Sequence, residues 1–482
     1  MRFPVAHAPS GWSHGEPRPS RGGFGWGGNV VLVAGAALVF ALALLPGAGQ
    51  VVLVGYLPAT VALGIALLRY DPPLYTAYVW WLWFLTPLVR RLVDYQVGWN
   101  PTNPMLVAPF LVTGLTAVTL IRHFPKLRRA ALFPFVLPLA GITYGYVVGL
   151  ARAGFLAATY SLLIWVTPIV FGFYLALQGR EYPAHRRAVE RTFLAGVVIL
   201  GVYGVYQFIN PPPWDRFWMI NSRMDSIGLP EPFRIRVFGT MNSPGPLAVI
   251  LMGGVLLLFS TRSPFRWLAA VPAYAAFLLS SVRSAWVGWL IAVLVYAWYL
   301  PVRFRARLGL AMAVLGVLLL PLLSFGPVNA VVTARLRSFS ALGEDNSFQA
   351  RSTLYAGLAD KALRNIAGRG LGATGAGVKL SQAPGVRDQD SGILDIFYSL
   401  GWLGGALFSA GVGLIVLRSL RRVGDADDHF AVALRGVGVA MCAMMVSFNS
   451  MAGNAGVLFW GFLGLHLAAE HYHAGEGAAD DG

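Results

Sequence analysis

Stretches of about twenty apolar residues recur along this chain, and each is long enough to cross roughly 30 Å of hydrocarbon as a helix. Fourteen can be marked, near 29–46, 49–68, 73–89, 104–121, 131–150, 156–178, 192–209, 243–260, 265–281, 284–300, 307–325, 392–417, 430–449 and 453–469. Only 12% of the 482 residues are charged and 56% are hydrophobic, where an average soluble domain carries about 25% charge. The expected fold is therefore an all-α integral membrane protein with 12–14 transmembrane helices, fourteen on this count, rather than a soluble domain with an anchor. Residues 1–27 are polar and rich in Gly and Pro, and no cleavage site follows them, so the first span is expected to be retained.

Charge sets the orientation. With the N-terminus in the cytoplasm, 20 basic residues fall in inside segments and four (Arg90, Arg91, Arg152 and Arg283) in short outside loops. That bias predicts an N-in, C-in arrangement. Twelve further basic residues lie in two long outside segments, which cross largely regardless of charge. The net charge of +16 thus reads as topology, and no nucleic-acid partner is expected. The single cysteine, Cys442, lies in an apolar run, which excludes an intrachain disulfide and a cysteine-based metal site.

The expected organisation is a cytoplasmic N-terminus (1–27), N-terminal membrane helices (28–209) and an extracytoplasmic segment (210–242). Central helices (243–325), a long extracytoplasmic loop (326–391), C-terminal helices (392–470) and a cytoplasmic tail (471–482) follow. The long loop is the largest polar excursion. Tyr355, Leu358, Ala359, Ala362 and Leu363 trace one apolar stripe, which predicts an amphipathic helix ended by Gly368 and Gly370. The glycines of "GRGLGATGAG" have no strand-turn-helix context and no GK[ST], so they do not read as a nucleotide loop. They suit a backbone that packs closely on the bundle or approaches a glycan.

All eight histidines map to the inner side of this topology, leaving none outside for base or metal chemistry. The outside arginines are sharper. Arg283, in "LLSSVRSAWVGW", lies in a connector so short that its side chain must stay at the membrane surface or enter the bundle. There it either clamps phosphate oxygens in bidentate fashion or snorkels from a helix end. Arg234 and Arg236 precede "GTMNSPGP", which should break the next helix entrance and expose backbone N–H groups to an anion. A simple turn with a charged flank is the alternative. Asn242, at the start of NSPGP, is a candidate substrate contact, as is Arg351 in the loop. Arg387, Asp388 and Asp390 stand at the mouth of the twelfth span, with Asp395 one turn in. A carboxylate there could take a proton from a sugar hydroxyl, or Asp390 and Ser391 could simply cap the helix. Asp395 could instead balance a buried arginine.

In order and topology, "RVFGTMNSPGP", "SVRSAWVGWLIAVLV" and "ARSTLYAGLADKALRNIAGRGLGATG" leading to "DQDSGILDIFYSLGWLGG" resemble the O-antigen ligase and polysaccharide polymerase superfamily across roughly residues 195–465. The resemblance implies a bacterial inner-membrane glycosyltransferase that moves a glycan from an undecaprenyl-diphosphate carrier to an acceptor glycan, without nucleotide, metal or other cofactor. It implies Arg236 and Arg283 as catalytic residues on the diphosphate and Arg351 as a loop arginine facing carrier or glycan. A flippase and a chain-length regulator are the implied protein partners. Ligases of this superfamily usually carry a histidine near the end of the long loop, where this chain has Asp388 and Asp390. That departure favours a polymerase over a ligase and leaves Asp390 a base by position only. A lipid-linked sugar transporter would instead require charges at span centres and pseudo-symmetric halves, and a scaffold would leave the outer arginines replaceable.

Overall fold

The computed structural model describes residues 26–123, 132–340, 365–381, 391–421 and 428–480. The described residues form α-helices without a named strand; one isolated antiparallel bridge joins Gly228 and Ile235. In chain order the helices are α1 Trp26–Leu44, α2 Gly49–Tyr70, α3 Pro72–Val97, α4 Ala108–Gly114, α5 Ala117–His123, α6 Phe133–Arg152, α7 Phe155–Ala176 and α8 Tyr182–Ile209. There follow α9 Pro213–Ser222, α10 Pro244–Ser260, α11 Arg266–Leu279, α12 Arg283–Tyr299, α13 Val302–Ser324 and α14 Gly326–Ser340. The last described helices are α15 Gly392–Ser419, α16 His429–Met444 and α17 Gly453–Asp480.

Each of the fourteen apolar stretches coincides with helix. Seven helical stretches are both long and apolar enough to cross a membrane, among them Gly49–Tyr70, Phe155–Ala176 and Gly392–Ser419. The fourth stretch is one such crossing made of a 3-10 turn, α4 and α5 in series. Others are shorter, such as α10 and α11. The chain is thus a multi-pass membrane protein of helices. The third stretch departs from its expected end: α3 runs on through Arg90, Arg91 and Asp94 to Val97, so these residues are helical and buried rather than loop charges. They continue the helix because Arg90 and Asp94, one turn apart, neutralise each other.

Close helix pairs fix the interior. α7 packs along α17, α6 along α15, α8 along α11 and α12 along α16. Small residues make the approaches close, as expected where apolar lipid gives little drive for helix association. A Cβ on Gly172 would lie 2.4 Å from the Trp460 carbonyl oxygen, and one on Gly141 would lie 2.4 Å from that of Gly404. Trp80, Phe84, Phe193 and Phe462 form an edge-to-face aromatic cluster at the centre, with ring centroids 4.9 to 6.2 Å apart.

Successive connectors alternate between two ends. Gly49 N–H donates to Gln96 at one end (3.0 Å), where Arg152 also donates to the Gly368 carbonyl. At the other end Tyr299 donates to the Leu420 carbonyl (2.7 Å), and Tyr182 donates to Asp428 (2.6 Å). We call these the loop end and the basic end.

Candidate functional site

The loop end is organised around two arginines that the apolar pattern had assigned to a connector. Arg91 is wholly buried and pairs with Asp215 of α9 at 2.8 Å, while its Nη2 donates to the Gly239 carbonyl at 2.6 Å. Asp215 also accepts from Tyr203 (3.0 Å) and from the Gln207 amide nitrogen. The Gln207 side-chain oxygen then accepts from the backbone N–H of Phe238 (3.0 Å) and Gly239 (2.9 Å). Beside it, Arg90 pairs with Asp94 at 2.6 Å and packs on the touching rings of Trp99 and Trp218, 4.7 and 4.4 Å from their centroids. Asn103 donates to the second Asp94 oxygen at 2.7 Å. Trp218 in turn donates from its ring nitrogen to the Asn242 carbonyl at 3.2 Å, and Thr240 donates to the Phe84 carbonyl at 2.6 Å. Buried charges persist only when paired and fully hydrogen-bonded. Here the pairing has a product: it fixes the stretch 236–242, which turns at Gly239, against α3 and α8.

Upon that fixed stretch stands Arg236. Its backbone N–H donates to the Ile227 carbonyl (2.9 Å), beside the Gly228–Ile235 bridge. Its guanidinium donates to the carbonyls of Ser226 (2.8 Å) and Ser281 (3.1 Å). The next residue, Val237, donates from its N–H to the Leu279 carbonyl at 3.2 Å, which ties the stretch to the end of α11. Ser281 adopts a left-handed conformation (φ 55°), unusual for a residue with a Cβ, and this turns the chain sharply from α11 into α12. Arg283 is the first residue of α12, two positions beyond the carbonyl that Arg236 holds. The two arginines singled out in the sequence thus occupy one corner, and both are half-buried.

The other candidates fall differently. Arg234 is exposed and pairs with Glu231 at 2.7 Å, so it sits on the rim. Asn242 is half-buried near Arg236 along the same stretch, with its side-chain oxygen buried and lacking a hydrogen bond among the described residues. The helix entrance of NSPGP needs a correction: α10 starts at Pro244, and Pro244 and Pro246 carry no N–H. Of its first three residues only Gly245 can donate, so this helix start is a poorer anion cradle than the motif promised. Arg351, Arg387, Asp388, Asp390 and the expected amphipathic helix lie outside the described residues.

The glycine run packs as anticipated, and the structure supplies the reason. α15 breaks at Gly401 (φ 66°, ψ −173°), a conformation that strains any residue with a Cβ. The break frees the carbonyls of Tyr398 and Ser399, which accept instead from the N–H groups of Arg369 (2.8 Å) and Gly370 (2.9 Å). Trp402 N–H, left without its helical acceptor, donates to the Ile366 carbonyl at 2.9 Å. The incoming chain also touches α6: Leu371 N–H donates to the Gly145 carbonyl (2.9 Å), and a Cβ on Gly370 would lie 2.3 Å from the Gly149 nitrogen. Beneath this graft lies Asp395. It accepts from Asn449 (2.8 Å) and Ser399 (3.2 Å), and Ser399 lies 3.1 Å from Thr374. Its partners among the described residues are neutral. Ser391 alone is seen to cap α15, accepting from Leu394 N–H at 3.3 Å.

The histidines among the described residues are all at the basic end. His185 meets Thr76 (3.0 Å), His466 meets the Ala431 carbonyl (3.1 Å), and His473 meets Asp428 (3.2 Å). Arg435, within a predicted span, is buried in α16 and faces Tyr299 with its charge 4.1 Å from the ring centroid. Sequence reasoning missed the Arg91–Asp215 network. The Arg90–Asp94 spacing was readable as a one-turn pair, but nothing local connects Arg91 to Asp215.

An all-helical membrane bundle with a half-buried arginine corner at one end and histidines at the other defines a narrow class. Residues 267–409 match the family model for O-antigen ligase, which bears out the resemblance to the ligase and polymerase superfamily. The match includes Arg283, the glycine graft and the α15 break, and falls within the 195–465 stretch that carried the resemblance. No curated protein matches the chain.

Proposed function

We propose that this chain is a glycosyltransferase of the bacterial inner membrane that polymerises glycan repeat units carried on undecaprenyl diphosphate. The observation that carries this reading is the single corner formed by Arg236, Ser281 and Arg283 at the loop end. The charge bias supports a cytoplasmic N-terminus, which puts the loop end outside. In the reaction an acceptor sugar hydroxyl attacks the anomeric carbon of the carrier-linked glycan. The bond from that carbon to the diphosphate oxygen breaks, and undecaprenyl diphosphate leaves with the electron pair. Arg236 and Arg283 would meet the charge that develops on the leaving diphosphate, and preorganised cations in a site sheltered from water are most effective there. Held by two main-chain carbonyls, Arg236 need not reorganise during transfer. Asn242 and Arg351 would contact the substrate, and Asp390 would receive the hydroxyl proton, with Arg387 and Asp388 beside it.

A ligase passing the glycan to lipid A-core is the second reading, favoured by the description of the matched family. The two separate in one experiment with the purified protein and a lipid-linked repeat unit. Products of increasing length without another acceptor support polymerisation. Transfer only after lipid A-core is added overturns it in favour of the ligase, and no transfer under either condition overturns both.

A further inference from the structure

At the basic end, α10, α11, α12, α13 and α16 surround a cavity of about 410 Å³ far from the arginine corner. Its mouth carries Arg262, Arg266 and Arg307, and among the described residues no carboxylate lines it. Arg266 is anchored, donating to the Thr261 carbonyl at 2.8 Å, and Arg307 lies over Phe304 with its charge 5.2 Å from the ring centroid. Asp428, which precedes the lining His429 in the chain, is engaged elsewhere: it pairs with Arg186 at 3.1 Å and accepts from Tyr182 at 2.6 Å. Behind this cationic mouth the wall turns apolar along α13, through Leu308, Ala311 and Leu315. Buried Tyr274 also lines the cavity, edge-on to Trp289 (5.5 Å between centroids), with its hydroxyl short of a well-formed hydrogen bond.

We infer that this cavity binds the phosphate of one anionic phospholipid, with the start of an acyl chain against α13. Three lining arginines favour an anion, and guanidinium groups suit phosphate oxygens. The apolar half selects among sources of phosphate. Inorganic phosphate has nothing to place against Leu308 and Leu315, whereas a phospholipid fills both halves at once. α13 is the least buried of the long apolar helices, and Leu308 and Leu315 on its buried side line the cavity. The hydroxyl of Tyr274 adds a donor for an ester or phosphate oxygen.

Delipidated full-length protein, titrated with phosphatidylglycerol and followed by native mass spectrometry, tests this. Wild type should retain one lipid that survives activation. Arg262→Gln with Arg307→Gln should weaken it roughly 10- to 30-fold, at about one surface charge's contribution per arginine. Both side chains are exposed, so their loss should leave the melting temperature unchanged. Leu315→Trp, which fills the apolar half without touching charge, should weaken the same lipid. Unchanged affinity in both variants would overturn the site. Displacement by millimolar inorganic phosphate would make it a soluble-anion site, and equal retention of diacylglycerol would make it an apolar groove; either overturns the lipid-phosphate assignment.

Discussion

Two pairs of arginines share the loop end and do opposite things. Arg90 and Arg91 are fully buried against Asp94 and Asp215, with ion-pair distances of 2.6 and 2.8 Å. Arg236 and Arg283 are half-buried, Arg283 opening α12 and Arg236 reaching across to the turn before it. The first pair has spent its charge inside the protein and yields a rigid stretch, 236–242. Of the second pair, Arg236 belongs to that stretch and Arg283 opens α12 beside it. Depth of burial, not residue type, thus separates the two pairs.

The contrast is sharpest for stability. Removing one member of a buried pair leaves an uncompensated charge, at a cost of about 3–5 kcal/mol. Arg91→Ala and Asp215→Ala should therefore abolish well-folded protein, as judged by monodisperse elution after solubilisation. A melting temperature within a few degrees of wild type would show that the network is dispensable. Next in size, Arg283→Lys and Arg236→Lys should lower transfer by roughly 10²-fold or more, as expected for losing an oxyanion-type contact, while folding is retained. Loss of folded protein in these variants would merge the two pairs and break the comparison.

Gly401→Ala should follow, because a Cβ at φ 66° costs about 1–3 kcal/mol and would lie 2.5 Å from the Ile366 carbonyl oxygen. The expected readout is faster hydrogen exchange at Arg369 and Gly370, whose N–H groups enter the break; unaltered exchange would mean the graft does not depend on it. The smallest effect belongs to Arg234→Gln. This exposed arginine, paired with Glu231 on the same short segment, should change stability by under about 0.5 kcal/mol and leave transfer rates near wild type. A large loss of activity would move Arg234 into the corner.

At the basic end acid gives a further check. Burial alone would push the Asp428 carboxyl up, but Arg186, Tyr182, the Ala431 N–H and His473 outweigh it and hold it below the usual carboxylate range. A depressed carboxylate contributes stability above its unfolded value near 4 that is lost as pH falls through the folded value. Asp428→Asn should therefore reduce stability at neutral pH and flatten its acid dependence. Parallel acid curves for the two proteins would contradict that.

The helices were legible because apolarity is a local property, and every marked stretch is helical. α3 overran its expected end because its charges cancel one turn apart, which hydropathy alone does not weigh. Arg283 was legible because it is a charge where the chain's own bias disfavours one, and Arg236 because it leads into the helix-breaking NSPGP. Their proximity was not, since it depends on the left-handed Ser281 and on a carbonyl contact between separate segments. Arg91–Asp215 and Asp395–Asn449 were hidden for the same reason: each joins residues distant in sequence. The glycine run announced close packing but not its target, because the break at Gly401 is defined only once the incoming chain is present.

The central claim, that Arg236 and Arg283 hold one diphosphate together, is tested most directly by a double-mutant cycle. Transfer from a purified lipid-linked repeat unit would be measured for Arg236→Lys, Arg283→Lys and the double variant. The account predicts that each single variant loses most activity and that the double loses much less than the product of the two, a coupling of at least about 1 kcal/mol. Wild-type rates in either lysine variant, or losses that simply multiply, would contradict it.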